Sequence, residues 1–267
     1  MCTAMSQRPR ALVTGASAGI GRCYAEHLAR TGHDLVLVAR RADKLEEVAG
    51  LLRAEGADVE VLPADLSTDE GVARVVERIE RDPAIGFLVN NAGYAARGRV
   101  AELDADATAH MLRVNVIALT RLTIAAMARM SAAGHGRIIN VASGTVFMQM
   151  PGNAGYGASK NYVLAFTRTL QTEAEGTGVR VQALIPGVIA TDFHEIAGNA
   201  IGNFPPERVM QADDLVVASL RALEMDEPVC IPSLPDMRDW DAYVEAERGL
   251  VPNVSRDRPA ERYHDRD

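Results

Sequence analysis

The sequence predicts an α/β protein, a single domain built on one doubly wound parallel sheet of about seven strands with helices on both faces. Two patterns predict it. From residue 10 to residue 185 short β-branched apolar runs alternate with amphipathic stretches, which is how a parallel sheet with crossover helices reads. A glycine-rich turn, TGASAGIG, follows the first apolar run directly and opens a helix. Right-handed crossovers then place helices above and below the sheet. With 267 residues, 48% hydrophobic and 24% charged, the chain has the length and balance to bury one continuous core.

Strands are expected, in order, at residues 11–14, 34–39, 59–63, 87–90, 137–141 and 179–185. Helices at 22–30, 44–55 and 68–81 carry apolar residues at helical spacing with charges between them, so they cover the sheet. The two longest helices, 108–130 and 156–177, present apolar or small residues on more than one side. That breadth predicts packing against another copy, in a homo-oligomer that is a dimer or tetramer. The pattern weakens after Thr191, and residues 188–210 are the expected substrate lid. A helix at 212–223 and a last strand at 228–231 follow. Residues 1–9 and the charged stretch 252–267 have little to bury, which predicts a flexible start and a polar tail.

A formal net charge of −8 opposes a broad basic surface for nucleic acid or an anionic membrane. Cys2, Cys23 and Cys230 lie far apart, without the CxxC or Cys/His spacing of a metal site or disulfide framework. No metal is expected. The opening MCTAMSQRPR lacks the apolar core of a secretory signal, and the apolar runs elsewhere break off short of a membrane span. The expected location is cytoplasmic.

In the turn, Gly15, Gly19 and Gly21 permit positive φ and let backbone N–H groups and the helix N-terminus approach a pyrophosphate, with Ser17 and Ile20 between them. A dinucleotide-binding fold usually ends its second strand on an acid that receives a ribose 2′-hydroxyl. Here the second strand ends Ala39-Arg40-Arg41. The acid is absent, Ala39 leaves room, and Arg40 offers a guanidinium to a 2′-phosphate, so NADP(H) fits better than NAD(H). Asp65 and Leu66 follow the third strand and bracket an adenine, with the Asp65 carboxylate accepting from its amino group. Asn90-Asn91-Ala92-Gly93 ends the fourth strand at the carboxyl edge, where open α/β sheets bind ligands.

Tyr156 and Lys160, in YGASK, stand four residues apart, one helical turn, so phenol and ammonium act on the same small volume. A nearby Lys⁺ favours phenolate and brings a tyrosine's pKa down from near 10. Taken alone, the pair is equally a helix-surface contact.

The ordered set TGASAGIG, NNAG, Asn115, Ser143, YGASK and Pro186-Gly187 resembles the short-chain dehydrogenase/reductase family in its NADP-preferring form, over about residues 10–191. Ser143 lies 13 residues before Tyr156 and Pro186 lies 30 after it, as in that family. The resemblance implies a Rossmann-type fold and a carbonyl/alcohol oxidoreductase. It implies that Tyr156 is the acid/base, that Lys160 lowers the tyrosine pKa and holds the nicotinamide ribose, and that Ser143 bonds the reacting oxygen. Asn115 is then the asparagine that anchors a water beside Lys160, and Pro186, Gly187, Val188 and Thr191 line the nicotinamide. Ala18 stands where some NADP-using members carry a second basic residue, which leaves the discrimination to Arg40.

The alternatives from the sequence are an NAD-linked alcohol dehydrogenase and a non-catalytic NADP-binding sensor or scaffold. The partner in either enzymatic reading is a small-molecule carbonyl or alcohol. Val146, Phe147, Met148, Met150, Tyr94 and the stretch 188–204 are either an apolar wall for it or ordinary packing.

Overall fold

A computed structural model describes residues 8–193 and 200–264. Strands β1 (Arg10–Thr14), β2 (Asp34–Ala39), β3 (Val59–Pro63), β4 (Ile85–Asn90), β5 (Gly136–Val141), β6 (Val179–Leu184) and β9 (Val229–Cys230) form one sheet in the order β3-β2-β1-β4-β5-β6-β9. Every pairing is parallel. Between β6 and β9 a separate small pair forms, β7 (Val188–Ala190) with β8 (Val209–Gln211), which the sequence pattern did not announce. The strand order reverses between β1 and β4, and the loops leaving those two strands part there and open a crevice.

The strands read as continuous apolar runs because both faces are covered. In β1 and β2, Ala11, Val13, Leu35 and Leu37 pack with α1 (Gly19–Arg30), α2 (Ala42–Ala54) and α7 (Ala212–Glu224). Their neighbours Leu12, Val36 and Val38 pack on the other side with α3 (Asp69–Arg81), α5 (Leu119–Ala133) and the end of α6 (Ala154–Ala174). Helices α2, α3 and α7 fall within a residue or two of their expected bounds.

The stretch expected as one helix over 108–130 is instead α4 (Ala105–Leu112), a π-helical turn (Arg113–Ala118) and α5. That whole stretch, Ala105–Ala133, is also long and apolar enough by composition to cross a membrane, against the expectation of interrupted apolar runs. Its apolar residues Leu122, Ala126 and Met130 are spent on the core beneath the sheet.

Two compact units divide the chain, Met1–Pro232 and Ser233–Asp267. The first holds the sheet. The second holds α8 (Arg238–Arg248), where Trp240 stacks on Tyr243 with ring centroids 5.4 Å apart. The expected tail, residues 252–264 of it described, is exposed throughout and carries short 3-10 turns.

Candidate active site

The crevice at the strand switch is a cavity of about 610 Å3. Its floor is set by a clamp between two loops. Thr14 Oγ1 at the end of β1 donates to Val89 O (3.2 Å) and accepts the N–H groups of Asn91 and Ala92 (both 3.0 Å). Asn91 Nδ2 donates back to Thr14 O at 2.9 Å. One strand further, Asn90 Nδ2 donates to Asn140 Oδ1 (2.9 Å) and Asn140 Nδ2 to Thr167 Oγ1 (3.1 Å), a buried polar ladder from β4 through β5 to α6.

At one end of the cavity the glycine turn meets the N-terminus of α1. Gly15 has φ of +67°, and a Cβ on Gly21 would stand 2.3 Å from Gly15 O, so neither position tolerates a side chain. Residue Ala18 precedes the helix without a side-chain cap, and the first turn carries no acid. Its N–H groups and the positive end of the helix dipole are therefore open to an anion, which is what a pyrophosphate needs. Gly15, Ala18, Gly19 and Ile20 line the cavity. Ser17 and Gly21 do not, and Gly21 acts by letting the helix close on Gly15.

The basic end of β2 is split in two. Arg41, read in the sequence as no more than the neighbour of Arg40, lines the cavity. Arg40 stands aside from it, and its charge adds to the lowering of the Asp65 pKa and opposes the burial that raises the Tyr94 phenol. Burial works to raise the Asp65 carboxyl, but the N–H and hydroxyl of Ser67, at 2.9 and 2.7 Å, outweigh it and hold the group ionised. Oδ1 of Asp65 is thus engaged in its own turn, and the expected adenine acceptor is reduced to the other oxygen. Leu66 points into the core with Val72 and Val75, so only its backbone remains for a ligand.

Proton chemistry lies at the other end. Tyr156 and Lys160 are one turn apart on α6, each 5% exposed, with the ammonium 5.9 Å from the ring centroid. Ser143 leaves β5 in extended conformation and its Oγ accepts the Thr145 N–H at 3.3 Å. Ser143, Tyr156 and Lys160 line the cavity together with Ala92, Gly93, Pro186, Gly187, Val188 and Thr191. The titration of the pair departs from expectation. Burial pushes the Tyr156 phenol above its usual value, opposed by Ser143 and by the charge of Arg97. Lys160 Nζ donates to Val141 O at 2.8 Å, and burial brings its own pKa down to about 8.

Asn115 is buried in the π-helical turn, its Oδ1 accepting the Tyr94 N–H (3.1 Å) and its Nδ2 donating to Tyr94 O (3.0 Å) and Ser159 Oγ (3.1 Å). Both Nδ2 hydrogens are spent in holding the β4 loop against α6, and Oδ1 accepts one bond of the two it can take. Of the apolar wall, Met148, Met150, Val188 and Phe204 line the cavity, with Phe193 added. Val146 is buried, and Phe147 and Tyr94 fall outside the lining. Arg97 and Asn153 are among the lining residues that had no signal in the sequence.

Backbone that receives phosphate at one end of a crevice, and a phenol, hydroxyl and ammonium at the other, are the requirements of a dinucleotide-dependent oxidoreductase. The chain belongs to the short chain dehydrogenase family, whose pattern matches residues 9–200. A short-chain dehydrogenase from Sphingobium yanoikuyae, solved in complex with NADPH, is 40% identical, with a TM-score of 0.91 over 96% of this chain and 100% of that one. The bulky-bulky ketone specific alcohol dehydrogenase from Comamonas testosteroni is 36% identical, with a TM-score of 0.88 over 97% and 99% of the two chains. The 3-oxoacyl-acyl-carrier-protein reductase of Pseudomonas aeruginosa is 35% identical over 77% of this chain and 85% of its own length. Of the longer very-long-chain 3-oxoacyl-CoA reductases of Danio rerio, the chain spans 65% and 66%.

Proposed function

We propose that this chain is an NADP(H)-dependent oxidoreductase that interconverts a ketone or aldehyde and the corresponding alcohol, with Tyr156 as its acid/base. One observation carries the reading: Tyr156 and Lys160, buried one turn apart, share a cavity with Ser143 and with the anion-receiving turn. The residues fit the cofactor. Residues 15–21 and the α1 terminus receive its pyrophosphate, Arg40 and Arg41 its 2′-phosphate, and Asn91–Gly93 with Pro186–Thr191 the remainder. NADP(H) supplies or accepts the hydride when bound.

The chain's own part is proton transfer and orientation. Ser143 bonds the Tyr156 phenol, and its hydroxyl is placed to donate to a substrate oxygen seated between the two and to stabilise charge developing there. The phenol, kept protonated by burial, gives its proton to that oxygen in reduction and takes it back in oxidation. Lys160, poised near neutrality, is the adjacent store from which that proton is replaced. Assembly is a homo-oligomer, a dimer or tetramer, built on the exposed Leu112, Ile117 and Ile124 of the α4–α5 stretch and Tyr162 of α6. The proposed location is the cytoplasm. The substrate lid is placed at residues 188–210, of which 194–199 lie outside the described residues.

The test is cofactor consumption on a panel of ketones and aldehydes. Tyr156→Phe keeps NADPH affinity and loses turnover by about 10²–10⁴, the usual share of a general acid. Arg40→Ala weakens NADPH more than NADH, by on the order of 1.5–3 kcal/mol for one charge-assisted contact. Near-wild-type turnover by Tyr156→Phe would end the acid/base assignment, and a wild type that prefers NADH would end the cofactor one.

A further inference from the structure

Asn153 precedes α6 at its N-cap, three residues before Tyr156. An asparagine there ordinarily accepts a hydrogen bond from the first turn of its helix. This one makes no such bond. It is 6% exposed, and neither Nδ2 nor Oδ1 has a partner. Leaving both ends of a buried amide unpaired is costly, and cavities of native proteins seldom carry such a group without a ligand to receive it. Asn153 lines the cavity that holds Tyr156.

Arg97 lines the same cavity from the loop after β4. The backbone on either side of this exposed residue is tied down. Ala96 N–H donates to Met111 Sδ at 3.1 Å, and Gly98 N–H donates to Gly152 O at 3.0 Å, which ties the loop to the residue preceding Asn153. The guanidinium has no hydrogen bond or ion pair among the described residues, although Asp192 lines the cavity too. Its charge reaches the phenol and lowers the pKa of Tyr156. A free guanidinium and a free amide donor beside a helix N-terminus make a site for a planar, two-oxygen anion. Met148, Met150, Phe193 and Phe204 offer the remaining wall to an apolar body.

We propose that Arg97 and Asn153 form a carboxylate-reading subsite, and that the substrates of this enzyme are oxo acids and hydroxy acids with an apolar body and the carboxylate a few bonds from the reacting carbon. The subsite deepens the oxidoreductase reading and rests on it. Arg97 takes one carboxylate oxygen and the Asn153 Nδ2 the other, which leaves the carbonyl to Ser143 and Tyr156. Arg97 is a specificity residue and moves no proton.

The experiment measures kcat and KM with NADPH for benzoylformate and 3-benzoylpropanoate, each against its methyl ester, in wild type, Arg97→Gln and Arg97→Lys. Wild type favours at least one acid over its ester. Arg97→Gln lowers that acid-to-ester ratio by about tenfold to a hundredfold, through KM, as loss of a charge-assisted bond does, and Arg97→Lys recovers part of it. A wild type that favours both esters overturns the proposal, as does a ratio unchanged in Arg97→Gln. Calorimetry of the NADPH-loaded enzyme with mandelate and mandelamide reads the subsite without turnover, since the reduced cofactor accepts no hydride from an alcohol. Tighter binding of the acid, lost in Arg97→Gln, supports it, and equal affinities in wild type overturn it. Asn153→Leu separates recognition from structure: it raises the thermal midpoint by removing an unpaired buried amide, and lowers the acid-to-ester ratio. A lowered midpoint with an unchanged ratio assigns Asn153 to the fold and overturns its place in the subsite. Failure of the oxidoreductase reading looks different, since no carbonyl of any kind would then consume NADPH.

Discussion

Lys160 is a buried ammonium whose only hydrogen-bond partner among the described residues is the Val141 carbonyl, and burial alone brings its pKa from 10.5 to about 8. The unfolded chain therefore holds that proton more tightly than the native state. Stability from this site is fullest above pH 10.5, falls as the pH drops toward 8, and is level below. At pH 7 the penalty is roughly 3 kcal/mol, against about 1 kcal/mol for the bond to Val141 that removal would lose. Lys160→Met is accordingly more stable than wild type at pH 7, by about 2 kcal/mol, and inactive. Denaturant titrations at pH 7 and pH 10.5 check it, since the advantage closes toward the higher pH. That Tyr156, Lys160 and Ser143 share one cavity was legible in the sequence, because a four-residue spacing and a strand end are local facts. Their burial was not, because it is a property of the whole fold and no spacing reports it.

The elements show the same division. The glycine turn was legible because its spacing encodes backbone geometry: a Cβ on Gly21 meets Gly15 O at 2.3 Å and Asn91 Nδ2 at 2.5 Å, both held by neighbouring bonds. Gly21→Ala is expected to lower NADPH affinity by about tenfold or more and to destabilise the fold, whereas Gly50→Ala, in α2 with nothing within 4 Å, is neutral or gains up to about 1 kcal/mol. Fluorescence titration with NADPH and a thermal melt of the two variants read the contrast. The π-helical turn at Asn115 left no trace in the pattern, because one extra residue in a turn shifts burial by too little to break a helical period. Arg97 and Asn153 were equally silent. They sit on different loops that Gly98 and Gly152 tie together, a pairing that depends on how β4 and β5 are laid side by side. Which of Arg40 and Arg41 faces the crevice was likewise decided by the way the chain leaves β2 for α2.

At the scale of the molecule, the exposed Ile117 and Ile124 predict an assembly that can be weighed. Light scattering is expected to return a multiple of 28.7 kDa for wild type and a lower multiple for Ile117→Glu/Ile124→Glu. A wild-type mass of one chain at micromolar concentration would remove the interface. Within one chain, the paired strands beneath the crevice are also joined by short side-chain links. Thr14 ties the end of β1 to the loop of β4, Asn90 ties β4 to β5, and Asn140 and Lys160 tie β5 to α6. Each link is a hydrogen bond between buried or half-buried groups, so the separation between the phosphate-receiving turn and the catalytic phenol has almost no slack. The crevice therefore works as a ruler. It recognises a cofactor by its span as well as by its charges, and a nucleotide fragment that keeps the reactive ring but lacks the distant phosphates has nothing to register it against the phenol.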